Sequence, residues 1–276
     1  MTAKITFFQS HLNISCTALR SAIFNLFIEI TSRIGLSGTN DRQEVFEMYT
    51  TLFSPIEVGG KSLKNRITMA PLYLGYAGEG GTVSPLLLEH YHMMASGGAA
   101  MITVENATVD HPAGSGSNRT IRADTDDNLQ GLEKLAHTIK DKGALACLQI
   151  NHAGRFAAVQ EALAPSAVNT FGRTPRAMTT EEIKTVRDKF VLAAERAFKA
   201  GFDMVELHGG TGYLLAQFAS PRSNKRNDQY GGSLEKRMRF PLEVMQAVKE
   251  ATGSKPVGYR FLADEWLPDG KHFLRR

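Results

Sequence analysis

Short apolar runs alternate with longer stretches in which apolar residues return every third or fourth position. This rhythm begins near Met48 and ends at Phe261. Buried strands produce the first pattern and amphipathic helices the second. Ile56–Leu63, with Gly59-Gly60 at its centre, reads as a small hairpin. The first strand–helix unit is Ile67–Met69 followed by a helix opening at Ser84-Pro85. There serine caps the first amides and proline suits the first helical position. Gly97-Gly98 ends that helix, and Ala100–Val104 is the second strand. Asp126 is expected to cap a helix carrying Leu129, Leu132, Leu135, Ala136 and Ile139, closed by Gly143. The third strand is Ala144–Ile150. The helix after it opens with Thr179 and Glu182 at capping-box spacing and runs to Gly201 with Ile183, Val186, Phe190, Ala193 and Ala197 on one face. Asp203–Leu207 is the fourth strand, and a helix from Ser233 to Gly253, interrupted by Pro241, leads to a fifth strand at Val257–Phe261.

Strands that alternate with helices lie parallel, joined by right-handed crossovers. Five such units fit a doubly wound sheet or part of a (β/α)₈ barrel of the TIM type. No Gly-x-Gly-x-x-Gly follows the first strand, which disfavours a Rossmann dinucleotide site. Polar and histidine-bearing segments sit just after strand ends, where a barrel collects its chemistry. Only 15 residues follow Phe261, whereas three more units need roughly 90 at about 30 per unit. The expected fold class is therefore an α/β TIM barrel, incomplete, with about five βα units.

The 276 residues are enough for one large domain or two small ones. With 42% apolar and 22% charged residues, the chain is neither a disordered tail, a collagen nor a membrane bundle. The net charge of +4 comes without a Lys/Arg block, so no nucleic-acid partner is expected. Two cysteines, Cys16 and Cys147, cannot frame disulfides or hold a metal cluster alone, which points to a reduced, cytoplasmic protein with no metal site. Residues 1–48 do not join the pattern. Their apolar stretch Ile23–Ile28 is flanked by Arg20, Glu29 and Arg33 and is too short to span a bilayer. Few acids and many Ser/Thr fit an organelle presequence or a secretory signal. The alternative is an extension without function ahead of a natural start at Met48. The expected division is an N-terminal extension, 1–48, outside the fold, and a partial barrel domain, 49–276.

Three strand ends carry candidate chemistry. His208-Gly-Gly-Thr-Gly-Tyr213 follows the fourth strand; its glycines admit a flat ligand, and its histidine and tyrosine can give a hydrogen bond or a proton. Its other reading is a glycine-rich turn with a structurally bonded histidine. Gln149 offers a donor and an acceptor suited to an imide edge, or is a satisfied buried amide. Arg260, near the end of the fifth strand, calls for an anion such as a reduced flavin or carboxylate, or for a salt bridge to a barrel carboxylate such as Glu206. The polar run Ser220–Ser233 reads by composition as a loop, its basic residues a solvated face.

Leu52-Phe-Ser-Pro55, Leu63-Lys-Asn-Arg-Ile67 and Met69-Ala-Pro71 resemble the opening of the old yellow enzyme family, the NADH:flavin oxidoreductases. Gln149–Arg155, ending His-Ala-Gly-Arg, resembles that family's third-strand motif. The segments His208–Leu215, Ser220-Pro221 and Ser223-Asn-Lys-Arg226 through Asp228, Tyr230 and Arg237 resemble its most specific run. The likeness covers about 52–270. It implies a (β/α)₈ barrel holding FMN at the C-terminal ends of its strands. Ala70, Pro71 and Leu72 would lie under the flavin, with Asn106 beside the second-strand contact. Gln149 would bond the pyrimidine edge and Arg260 would stabilise the reduced ring. His208 would bond a substrate carbonyl and Tyr213 would match the proton donor.

Thr211 stands where the family usually has a second histidine or an asparagine, and Tyr73 where it often has a small residue. The family's last three strands, and with them its phosphate site, are absent from the pattern. The resemblance implies an FMN-dependent ene-reductase-type oxidoreductase, reduced by NADH or NADPH and passing hydride to a small α,β-unsaturated carbonyl compound, with assembly into a homo-oligomer left open. The alternative is a C-terminally truncated, non-catalytic remnant of such an enzyme.

Overall fold

The computed structural model describes residues 49–267 and 269–270. The extension expected over 1–48 lies outside the described residues. The described residues from Leu52 onward form one compact unit. It opens with an antiparallel hairpin, β1 (Ile56–Val58) and β2 (Lys61–Leu63). Gly59 and Gly60 have φ of +59° and +74°, as a tight two-residue turn demands.

Five parallel strands follow in chain order: β3 (Thr68–Met69), β4 (Met101–Thr108), β5 (Leu145–Asn151), β8 (Met204–Gly209) and β9 (Val257–Phe261). They curl into an arc in which sequential neighbours pair, as expected of a barrel; a doubly wound sheet would put the first strand in the middle. The crossovers carry α1 (Pro85–Ser96), α2 (Leu129–Lys140), α3 (Thr180–Lys199) and α5 (Leu234–Thr252). A short parallel pair, β6 (Leu163–Ala164) and β7 (Arg176–Ala177), lies between β5 and α3. A short helix, α4 (Leu214–Ala219), follows β8.

The caps largely follow the sequence. Ser84 Oγ accepts from the Leu87 amide at 3.1 Å. Thr179 and Glu182 complete a reciprocal capping box at 3.2 and 2.8 Å. Asp126 does not cap α2. A 3₁₀ turn, Asp126–Asn128, precedes the helix, so the cap moves back to Thr125, whose hydroxyl accepts from the Asp127 amide. Asp126 instead reaches Arg196 of α3 at 2.5 Å. In the run Ser220–Ser233, Arg222 and Lys225 are exposed, as a solvated face would have them, whereas Ser223, Asn224 and Tyr230 are buried. Asn224 Nδ2 donates to the Phe218 and Tyr230 carbonyls, both at 2.7 Å, and Arg226 binds Asp228 and the Pro165 and Met178 carbonyls. Short side chains that bond the local backbone look like turn formers in sequence, and here they also fix a partly buried loop.

Register divides the sheet into two faces. Leu148, Val205 and Val257 pair across three strands, as do Ile150, Leu207 and Tyr259. With Ile102 and Val104 they pack against Leu87, Leu135, Ile183, Phe190 and Phe240 of the helices and form the core. The intervening positions face the other way: Gln149 opposite Glu206, and one step beyond, His208 opposite Arg260.

Candidate functional site

The inner face of the arc gathers the polar side chains that the strands deliver. Gln149 and Arg260 lie on the same face, because each is an even number of residues from the shared Gln149–Glu206–Gly258 row. Gln149 is buried, and its Nε2 donates to Glu206 Oε1 at 2.7 Å. Burial holds the Glu206 carboxyl above its usual range, against the Gln149 hydrogen bond and, more weakly, the charge of Arg260. Arg260 acts on Glu206 only through its charge, with no ion pair between them among the described residues, and it is exposed, so it is open to an anion.

Strand β8 runs two residues further than its apolar pattern, so His208 is held on the strand and not in the turn. Its Nδ1 accepts from the Gly210 amide at 3.4 Å, which leaves the proton on Nε2, 3.2 Å from Thr211 Oγ1. Burial, aided by Arg260, pushes the imidazole down to about 4. It is therefore neutral at pH 7, a hydrogen-bond donor through Nε2 but not an acid. Gly209 must lack a side chain, since a Cβ there would lie 2.1 Å from the Tyr259 ring. Thr211 has φ of +47°, a costly backbone for a β-branched residue. That turn swings Tyr213 back so that its ring lies 4.9 Å from the His208 ring. Burial raises the Tyr213 phenol, as does nearby Tyr73, while the Asn106 side chain counters them. Tyr213 is thus protonated at neutral pH.

Strand β4 runs four residues beyond the sequence expectation, and it carries a bulge. Val104 pairs with Leu148 and Ala107 with Ile150, so Glu105 and Asn106 together oppose the single residue Gln149. Both are buried. Glu105 Oε2 accepts from the Leu74 amide at 3.2 Å, and the Glu105 amide donates to the Tyr91 hydroxyl at 2.9 Å. Burial raises the Glu105 carboxyl to about 7. The Leu74 bond fixes the segment directly after β3 that contains Ala70, Pro71, Leu72 and Tyr73. Leu72 and Tyr73 are 61% and 45% exposed, an apolar surface at the strand ends.

Two further residues hold the loops. His152 is fully buried; its Nδ1 accepts from the Gly154 amide and its Nε2 lies 3.6 Å from Asp110, which binds Lys189 at 2.7 Å. Gln217, 1% exposed, joins the loops after β5 and β8. Its Nε2 donates to the Gly212 carbonyl at 2.8 Å and the Ala153 carbonyl at 3.2 Å, and its Oε1 accepts from the Arg155 amide at 3.1 Å. Sequence reasoning missed Glu105 and Gln217. The available signal was a lone charge inside the apolar run Met101–Val109, and a lone amide inside Leu-Leu-Ala-Gln-Phe-Ala.

The face suits a flat polar heterocycle. Three buried acceptors, Glu105 Oε1, Asn106 Oδ1 and Asn151 Oδ1, have no partner within the described protein, and buried polar atoms seldom stay unbonded. They lie on β4 and β5, beside Gln149.

A parallel α/β arc of barrel type, with its polar residues gathered at the C-terminal strand ends, defines the class. Residues 51–275 match the model of the NADH:flavin oxidoreductase / NADH oxidase family, and the chain belongs to that family. It is 43% identical over 230 residues to an NADH oxidase of Thermoanaerobacter brockii, covering 80% of this chain and 35% of the relative. It is 40% identical over 227 residues to an NADPH dehydrogenase of Bacillus cytotoxicus, covering 81% and 65%. Among solved structures, the Old Yellow Enzyme from Pichia sp. AKU4542 superposes with a TM-score of 0.72 at 33% identity, covering 76% of this chain and 59% of that one. The chain thus spans about a third of the first relative's length and somewhat under two thirds of the others.

Proposed function

We propose that the chain is an FMN-dependent oxidoreductase of the ene-reductase type, served by NADH or NADPH and acting on small α,β-unsaturated carbonyl compounds. The observation that carries this is the register, which puts Gln149, Glu206, His208 and Arg260 on one face. FMN, when bound, supplies hydride transfer from the nicotinamide donor to the acceptor. Gln149 and Asn106 would hold its polar edge, Arg260 would balance its negative charge, and Ala70, Pro71 and Leu72 would support its ring.

The acceptor side belongs to His208, Thr211 and Tyr213. Neutral His208 directs its Nε2 proton toward Thr211, and an acceptor carbonyl competing for that proton is oriented and polarised there. Thr211 supplies a hydroxyl on the same line. The Tyr213 hydroxyl, protonated at neutral pH, gives its proton to the acceptor carbon. Residues 49–276 act as the barrel domain in this reading, 1–48 as an extension outside it, and a cytoplasmic location fits the cysteine usage.

FMN titration of the purified chain, followed by NADH and NADPH oxidation with 2-cyclohexenone, tests the reading. Tyr213→Phe should leave flavin affinity unchanged and slow turnover by about 10²–10⁴-fold. A chain that takes up no FMN, or a Tyr213→Phe variant with undiminished turnover, overturns it.

A further inference from the structure

Phe171 stands at the tip of a two-residue hairpin. The Thr170 amide donates to the Arg173 carbonyl at 2.8 Å, and the Arg173 amide donates back to the Thr170 carbonyl at 3.1 Å. Both central residues have positive φ, +49° at Phe171 and +79° at Gly172. Such a turn favours Asn, Asp or Gly at its first central position, and an aromatic residue there costs stability. Burial does not offset that cost, since Phe171 is 92% exposed. A strained residue that gives nothing to the core is a residue to explain by function.

The hairpin is also aimed. The Arg173 guanidinium donates to the Ala157 and Val159 carbonyls, which ties the hairpin base to the loop after β5. That tie sets the Phe171 ring against Phe156, centroids 6.2 Å apart and planes 29° apart. Phe156 meets Tyr213 edge-on at 6.1 Å and carries the Arg155 guanidinium 4.8 Å above its ring. Tyr213 in turn meets His208 at 4.9 Å. One file of rings therefore leads from the imidazole outward to the exposed tip.

We infer that Phe156 and Phe171 form the outer wall of the acceptor site and select acceptors whose carbonyl is attached to a flat, extended apolar ring system. This rests on the proposed function for the carbonyl anchor at His208. A single small ring anchored at His208 would meet Tyr213 alone, whereas a longer flat body would extend outward toward Phe156 and the Phe171 tip. Stacking rewards the second and ignores the first.

The test compares 2-acetonaphthone with 2-cyclohexenone. Ligand-observed NMR gives both affinities on the full chain, with and without added FMN, for wild type, Phe171→Asn and Phe171→Tyr. Asparagine suits the turn, so Phe171→Asn should melt no lower than wild type. It should bind 2-acetonaphthone about 2–10-fold more weakly, the scale of one aromatic contact, with 2-cyclohexenone unchanged. Phe171→Tyr keeps the ring and should keep the preference. Equal affinities of the two ketones for wild type, or equal losses in Phe171→Asn, overturn the wall. Absence of FMN uptake overturns the functional reading alone, because ring selection is still read on the flavin-free chain.

Discussion

His208 and Glu105 should oppose one another in how acid affects the fold. Burial takes His208 from 6.5 to about 4 and Glu105 from 4.5 to about 7. Between pH 4 and 6.5 the unfolded chain binds a proton at His208 that the native state refuses, so stability falls as pH falls. Between pH 4.5 and 7 the native state holds a proton at Glu105 that the unfolded chain releases, so stability falls as pH rises. A tenfold difference in proton affinity between the native and unfolded states is worth about 1.4 kcal/mol, so each residue moves the fold by about 3 kcal/mol across its window, in opposite directions. His90, lowered by burial, adds to the first side, and Glu206, raised by burial, adds to the second. Urea unfolding at half-unit steps from pH 4.5 to 7.5 reads the balance. Relative to wild type, His208→Gln should become more stable toward acid by about 1.4 kcal/mol per pH unit near the middle of the range, and Glu105→Gln less stable by a similar slope. The window lies above the acid range in which Asp110, held down to about 2 by His152 and Lys189 against the opposing cost of burial, becomes protonated. Variants that change stability by a constant amount, with slopes parallel to wild type, would refute the assignment of these two protonation states.

Gln217→Leu should lose about 2–4 kcal/mol in denaturant titration, because it leaves the buried Gly212 and Ala153 carbonyls and the Arg155 amide unpaired. Its amide exchange should rise first around Gly212 and Tyr213, and unchanged protection there would show that the clamp is idle. Removing residues 1–48 should alter the stability of the remainder by no more than about 0.5 kcal/mol, the scale of ordinary surface changes. A loss of several kcal/mol would make that segment part of the fold.

The elements that bury one apolar stripe were legible in the chain. The α3 capping box and its stripe of Ile183, Val186 and Phe190 stand as read, as does the sequential strand order. The strand ends were not legible. Glu105, Asn106 and His208 interrupt the apolar pattern because they face inward, so the pattern stops where the polar work of a strand begins. The bulge in β4 leaves no mark in composition, since it is a matter of register between two strands. The motif resemblance led to Gln149, His208 and Arg260, but not to Glu206 as Gln149's partner at 2.7 Å or to Gln217 as the link between loops. Those are contacts between segments 57 to 64 residues apart, which no local pattern encodes.

The two faces of the sheet answer to different demands. Leu148, Ile150, Val205 and Leu207 hold the helices on and carry the fold, while Gln149, His208 and Arg260 take no part in that core. Exchanging an inner residue therefore leaves the apolar layer under the helices untouched, although it reaches the polar partners it bonds, as Gln149 bonds Glu206. Alternation keeps the inner face chemically apart from the packing layer, so its polar residues can be exchanged as coupled sets while the scaffold beneath them stays the same.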